Sequence, residues 1–93
     1  MAKVVLSRRA YVDLGRLRKF LAEKSPVAAD KAAEQIWRGL SQLSEFPRSA
    51  PEHAQTGLRE LPVRFGHYGY VIRYGLSGET VVVLRIFHTL ERR

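Results

Sequence analysis

The sequence predicts an α+β fold, a helical hairpin packed on a small, largely antiparallel β-sheet in the order β-α-α-β-β-β. Three observations predict it. Two stretches with helical apolar spacing are joined by Ser25-Pro26 alone. Three β-rich runs crowd the second half of the chain. A short β-branched run, Val4-Val5-Leu6, precedes the first helix. A run of helices followed by a run of strands marks α+β.

The elements follow in order. Ser7 is a good N-cap after the first strand. Tyr11, Leu14, Leu17 and Leu21 recur near the helical period and form an expected core stripe. That helix should end near Lys24. Ser25 then caps a second helix, with Pro26 at its first position. Ala29, Ala32, Ala33, Ile36, Leu40 and Leu43 make its apolar stripe. So short a link predicts an antiparallel helical hairpin. Trp37 lies off the stripe centre, in a ridge with Ala33 and Leu40. Two readings stay open for it: completing the core, which is favoured, or lining a groove for a partner's helix.

Phe46-Pro47 ends the second helix, and a polar loop runs to Gly57. Leu58 to Val63 reads as a strand interrupted by Pro62, which suits a sheet edge or a strand end. Arg64 to Gly66 should turn into a hairpin formed by Tyr68 to Tyr74 and Thr80 to Phe87, with the reversal inside Gly75 to Glu79. Tyr70, Ile72 and Tyr74 share one face, and Val71 and Arg73 the other. Strict alternation in the last strand puts Val82, Leu84 and Ile86 toward the helices. It puts Val81, Val83, Arg85 and Phe87 on the opposite side, so Arg73 and Arg85 are expected on the uncovered face.

Ninety-three residues suit one domain, 1–93. A chain that is 45% hydrophobic and 27% charged supports one ordinary core. It has no cysteine, which excludes a disulfide frame and a thiolate metal site and fits a cytoplasmic setting. No apolar run approaches the roughly 20 residues of a membrane span, and the N-terminus lacks the pattern of a signal peptide. His53 and His67 have no companions at ligand spacing, so no metal and no cofactor are expected. No Gly-rich phosphate loop or nucleophile elbow is present.

The net charge is +7. Residues 1–47 carry nine Lys/Arg against five Asp/Glu, and residues 48–93 carry seven against four. The excess is spread over the chain, and its cations after residue 47 are all arginines. Such a surface predicts an acidic partner, protein or nucleic acid.

Three segments carry a family likeness: Val5-Leu6-Ser7 with Ala10 and Asp13-Leu14; Gly57-Leu58-Arg59-Glu60-Leu61; and Tyr70 to Tyr74 with Val83-Leu-Arg-Ile-Phe-His88. In this order and spacing they resemble the RelE/ParE superfamily of type II toxin–antitoxin toxins. The ParE branch is the nearer, through the terminal Leu-Arg-Ile-Phe-His. The resemblance implies a growth-inhibiting toxin of a plasmid-stabilisation type of module. An acidic antitoxin would hold it inactive, wrapping it with a helix and an extended arm.

Two activities follow from the resemblance. ParE-type members poison DNA gyrase, and RelE-type members cut messenger RNA on the ribosome. Cleavage through the 2′-oxygen needs a base, an acid and cations on the phosphate. Here Lys3, Lys19, Lys24 and Lys31 all lie in the N-terminal strand and helices, Gly69 or Tyr70 stands where a middle-strand arginine is usual, and no tyrosine follows the last strand. The gyrase reading, which needs no catalytic residue, is therefore preferred. The target surface would be Arg59, Arg73, Arg85 and His88, the same four that would serve as the phosphate and titratable groups of the nuclease alternative. The antitoxin would cover Trp37, Leu40, Arg73 and Arg85. For His88 two roles stay open: a general acid or base, or a hydrogen bond to the backbone or contact with the antitoxin, the latter favoured.

Overall fold

A computed structural model describes residues 1–91. The elements are β1 (Lys3–Leu6), α1 (Arg8–Lys24), α2 (Pro26–Glu45), β2 (Arg59–Phe65), β3 (Tyr68–Ser77) and β4 (Thr80–His88). The four strands form one sheet in the order β1-β4-β3-β2. β2–β3 and β3–β4 are antiparallel, and β1 joins β4 in parallel. The expected α+β architecture and element order are therefore observed. Pro62 lies within β2, which is an edge strand, where a missing ladder donor is tolerated.

Local chemistry sets the helix ends. The Ser7 hydroxyl accepts from the Ala10 N–H at 3.1 Å, and the Ser25 hydroxyl accepts from the Ala28 N–H at 3.2 Å. Ser25 also donates its N–H to the Leu21 carbonyl, so one residue closes α1 and opens α2. The hairpin turns are tighter than the sequence suggested. Gly66 and Gly78 adopt positive φ as the first of two loop residues, which lets the strands run to Phe65, Tyr68, Ser77 and Thr80.

The core lies between the helices and one sheet face. α1 contributes Ala10 and Leu17, with Leu14 and Leu21 packed against them. α2 contributes Ala32, Ile36, Leu40 and Leu43. Tyr70, Ile72 and Tyr74 meet them from β3, as expected. The buried Tyr74 hydroxyl donates to the Pro47 carbonyl at 2.8 Å and anchors the loop after α2.

Three expectations are corrected. Tyr11 is 64% exposed and Ala10 takes its place in the core. The Ser7 hydroxyl also donates to the Leu84 carbonyl at 3.1 Å, which holds the start of α1, with the buried Ala10, close to β4. Trp37 is 59% exposed, so the favoured core reading for it fails. In β4 the alternation breaks. Arg73 pairs with Arg85 and Tyr74 with Val83, which leaves Leu84 without a partner on β3. This bulge reverses the strand's parity. Val81, Val83 and Ile86 are fully buried in the core, so of the expected trio Val82, Leu84 and Ile86 only the last belongs to it.

Candidate functional site

The bulge in β4 is built around a buried carboxylate. Asp13 sits on the apolar side of α1, between Ala10 and Leu17, and is 2% exposed. Among the described residues, no strand continues β1 along the β4 edge beyond Val83. The Ile86 N–H there donates to Asp13 Oδ2 at 3.0 Å. Arg85 donates from Nε to the same oxygen at 2.7 Å and from Nη2 to Oδ1 at 3.3 Å. Arg16 adds a charge contact at 3.6 Å and donates two bonds, of 2.8 and 3.1 Å, to Glu91. Burial alone would raise the Asp13 pKa. The hydrogen bonds from Arg85 and Ile86 and the charges of Arg85 and Arg16 together outweigh it and hold the carboxyl below its ordinary value. Arg16 is pushed up, first by its hydrogen bond to Glu91.

The other candidate residues are placed as follows. Arg73 points from the sheet face opposite the helices. Its Nε donates to Glu60 Oε2 at 2.8 Å, and its guanidinium lies 5.1 Å over the Phe87 ring. Arg59 pairs with β3 opposite Tyr74 and donates to the Ala50 carbonyl at 2.6 Å and to Glu52 at 3.4 Å. His88 pairs opposite Tyr70, at the other end of the hairpin. Its Nδ1 accepts the Leu90 N–H at 3.1 Å, and Tyr70 meets its ring edge-on at 5.5 Å. The Tyr70 hydroxyl is pushed up by burial, with Glu91 adding to the effect.

These positions do not form one cluster. Arg59 and His88 stand opposite Tyr74 and Tyr70, four residues apart on β3, about 13 Å along a strand. Both of those tyrosines face the helices, whereas Arg73 is on the other face. The expectation that Arg85 projects from the uncovered side is corrected. From its strand position beyond the end of β1 the guanidinium reaches Asp13 on α1, and 26% of the side chain stays exposed. For His88, Nδ1 accepts a backbone hydrogen bond, one of the alternatives left open from sequence.

Sequence reasoning gave Asp13 no role of its own. The available signal was an acidic residue at helical spacing inside an apolar stripe, Ala10-Asp13-Leu17. Such a residue needs a partner, and here the partner lies 72 positions away.

Concave surfaces also flank the sheet. Trp37 and Tyr11 line an open groove with Val5 and Ser41, and the buried Leu40 forms part of its floor. It runs beside β1, whose outer edge is the sheet's edge. On the opposite sheet face, Arg73 and Glu60 border a concavity of about 730 Å³ with Glu52, His53 and Leu58. Among the described residues, no three His, Asp or Glu side chains are grouped to hold a metal, and no helix is long and apolar enough to cross a membrane.

Comparison with known proteins gives the family and the fold. Residues 4–93 match the family model described as the ParE toxin of the type II toxin–antitoxin system, parDE. The chain is 41% identical over 93 residues to Toxin RelE3 of Caulobacter vibrioides, covering 100% of both chains. It is 40% identical over 90 residues to Toxin RelE1 of the same organism, covering 97% of this chain and 96% of the relative. A solved structure described as the chromosomal ParDE TA system from P. aeruginosa shares the fold. Its TM-score is 0.78 at 20% identity, covering 95% of this chain and 96% of that one. A full-length match to the family model and full-length identity above 40% agree with the likeness carried by the strand segments, and the chain belongs to the ParE toxin family of type II toxin–antitoxin toxins, within the RelE/ParE superfamily.

Proposed function

We propose that this toxin acts by binding, with DNA gyrase as its target, and that an acidic antitoxin keeps it silent in the cytoplasm. The observation that carries the reading is the dispersal of its charged groups. Arg59, Arg73 and Arg85 each engage a carboxylate within the chain, and His88 lies at the far end of the hairpin. General acid–base cleavage wants cations and a titratable group converging on one phosphate. A protein ligand needs only a fixed surface. Arg59, Arg73, Arg85 and His88 are then contact residues, and the internal carboxylates hold the guanidinium groups in set positions.

For the antitoxin, the groove of Tyr11, Trp37 and Leu40 supplies an apolar seat beside an unpaired strand edge. Exposed parts of Arg73 and Arg85 supply charge for an acidic chain. The runner-up is a ribosome-dependent messenger RNA endonuclease using Arg59, Arg73, Arg85 and His88. Induction of the toxin alone in growing cells separates the two. Growth arrest with chromosome breakage and intact transcripts is expected. Transcripts cut at ribosomal positions, mapped by primer extension, would replace the gyrase reading with the nuclease one.

A further inference from the structure

α1 carries six cations and two acids, so it holds +4 of the chain's +7. Its acids do little for the outer surface. Asp13 is buried against Arg85, and Glu23 stands at the far end of the helix. At about 100° per residue, Arg8, Lys19, Arg16 and Arg9 fall within roughly 100° of arc, on the side turned away from the buried Ala10 and Leu17. Arg16 is held by Glu91. Arg8, Arg9 and Lys19 are exposed and make no ion pair among the described residues. Two features of this stripe run against helix stability. Arg8 and Arg9 occupy a first turn that has no acid, where the helix dipole disfavours cations. Gly15 sits mid-helix on the same exposed side, where glycine is a weaker helix former than alanine. Packing does not require it, since a Cβ there would meet nothing within 4 Å. Local rules broken without a packing gain mark functional surface.

We propose that this stripe of α1, Arg8, Arg9 and Lys19 beside the bare backbone of Gly15, binds the phosphate backbone of duplex DNA. The proposal deepens the gyrase reading and rests on it: gyrase holds DNA while it works, and the toxin then touches protein and duplex together. Arg8 to Lys19 spans about 16 Å of helix. Over that length a duplex offers a phosphate about every 1.7 Å of axis, counting both strands. Cations strung along three turns on flexible stems suit such a repeated array of anions, whereas a single carboxylate leaves most of them unused. Arg59, Arg73 and Arg85 differ, because each is fixed by a carboxylate of the chain. Within the arc Val12 is the only apolar side chain, so the stripe offers neither the apolar face that a membrane surface takes up nor the apolar core of a protein interface. Phosphate contacts fix position without reading bases, and no preferred DNA sequence is expected.

The test is fluorescence anisotropy of a labelled random-sequence duplex, titrated with purified toxin over a range of salt. Wild type is expected to bind, with affinity falling as salt rises. The triple variant Arg8→Gln, Arg9→Gln, Lys19→Gln is expected to bind about tenfold or more weakly and to lower the salt slope by about three, near one per cation. A control triple variant, Lys31→Gln, Arg48→Gln, Arg64→Gln, removes the same charge from exposed cations elsewhere and should lose only about twofold. Neutralising the first turn of α1 should leave the unfolding temperature unchanged or raise it, so weaker binding is not lost folding. Equal loss in the two triple variants overturns the proposal, because net charge and not the stripe then carries the binding. Wild type that ignores DNA at low salt overturns it too. So does a stripe variant that binds DNA as before but loses affinity for the antitoxin or for anionic vesicles. A supercoiling assay separates this proposal from the reading beneath it. A stripe variant that inhibits gyrase as well as wild type defeats the DNA contact and leaves gyrase as the target. Wild type that binds duplex through the stripe and leaves gyrase unaffected defeats the gyrase reading and keeps the stripe as a DNA surface.

Discussion

Asp13 does most to fix the geometry of the last strand. Its carboxylate replaces the missing strand neighbour of Ile86 and neutralises Arg85 in a nearly closed site. Removing one partner of such a pair leaves the other charge uncompensated. Asp13→Ala should therefore cost about 3–5 kcal/mol, read from denaturant unfolding. Asp13→Asn retains an acceptor for Ile86 and should lose less. The same residue sets an acid limit. Its folded pKa lies below the ordinary 3.8, so the unfolded chain takes up the proton first as pH falls. The stabilisation is complete above that ordinary value and disappears as pH drops through the lower folded one. Thermal unfolding of wild type should lose stability over this interval, and Asp13→Asn should show a flatter profile there. An equal slope in both proteins would remove Asp13 as the cause.

At the level of elements, the sequence is legible wherever the deciding chemistry is local. Ser7, Ser25 and Pro26 mark the helix ends because caps act within a few residues. Tyr70, Ile72 and Tyr74 declare their face because their neighbours Val71 and Arg73 include a cation. β4 is illegible at its bulge. Val81 and Val83 are as apolar as Val82 and Leu84, so composition fits either parity. The choice is made by Asp13 and Ser7, which meet β4 only after folding. Ala10 takes the core place expected of Tyr11 for a related reason: the Ser7–Leu84 contact that draws the start of α1 onto β4 spans most of the chain. Of the candidate site, the residues were legible but their grouping was not. Arg73 and Arg85 are directly paired on the sheet, yet their guanidinium groups reach different carboxylates, Glu60 on β2 and Asp13 on α1.

Gly69 gives a test at this scale. A Cβ there would sit 2.2 Å from the Val63 carbonyl oxygen, which belongs to the neighbouring strand's backbone. Backbone cannot step aside as a side-chain tip can. Gly69→Ala should destabilise by about 3 kcal/mol, near the upper end for overpacking. Gly69→Arg, which would place a cation near the start of β3, should be as bad or worse. Normal stability of either variant would show that β2 and β3 separate more easily than this register implies.

Across the whole molecule, a cationic domain exposes aromatic side chains on two sides of its helical layer and pairs Arg59, Arg73 and Arg85 with its own carboxylates. That combination suits a protein whose business is with other proteins. Trp37→Ala should leave stability nearly unchanged, because the ring is more than half exposed, yet weaken antitoxin binding by about 2 kcal/mol or more. Binding should also fall as salt rises, since an acidic partner meets a +7 chain. Glu60→Gln would loosen Arg73 without moving the strand, which separates a fixed guanidinium from one that is merely present.

The proposed hold on gyrase, as against cutting of RNA, is tested most directly by DNA supercoiling with purified gyrase and micromolar toxin, with and without the antitoxin. Inhibition with accumulation of cleaved DNA, reversed by the antitoxin, is the expected result. Undiminished supercoiling and no trapped breaks, from toxin that still binds its antitoxin, would contradict it.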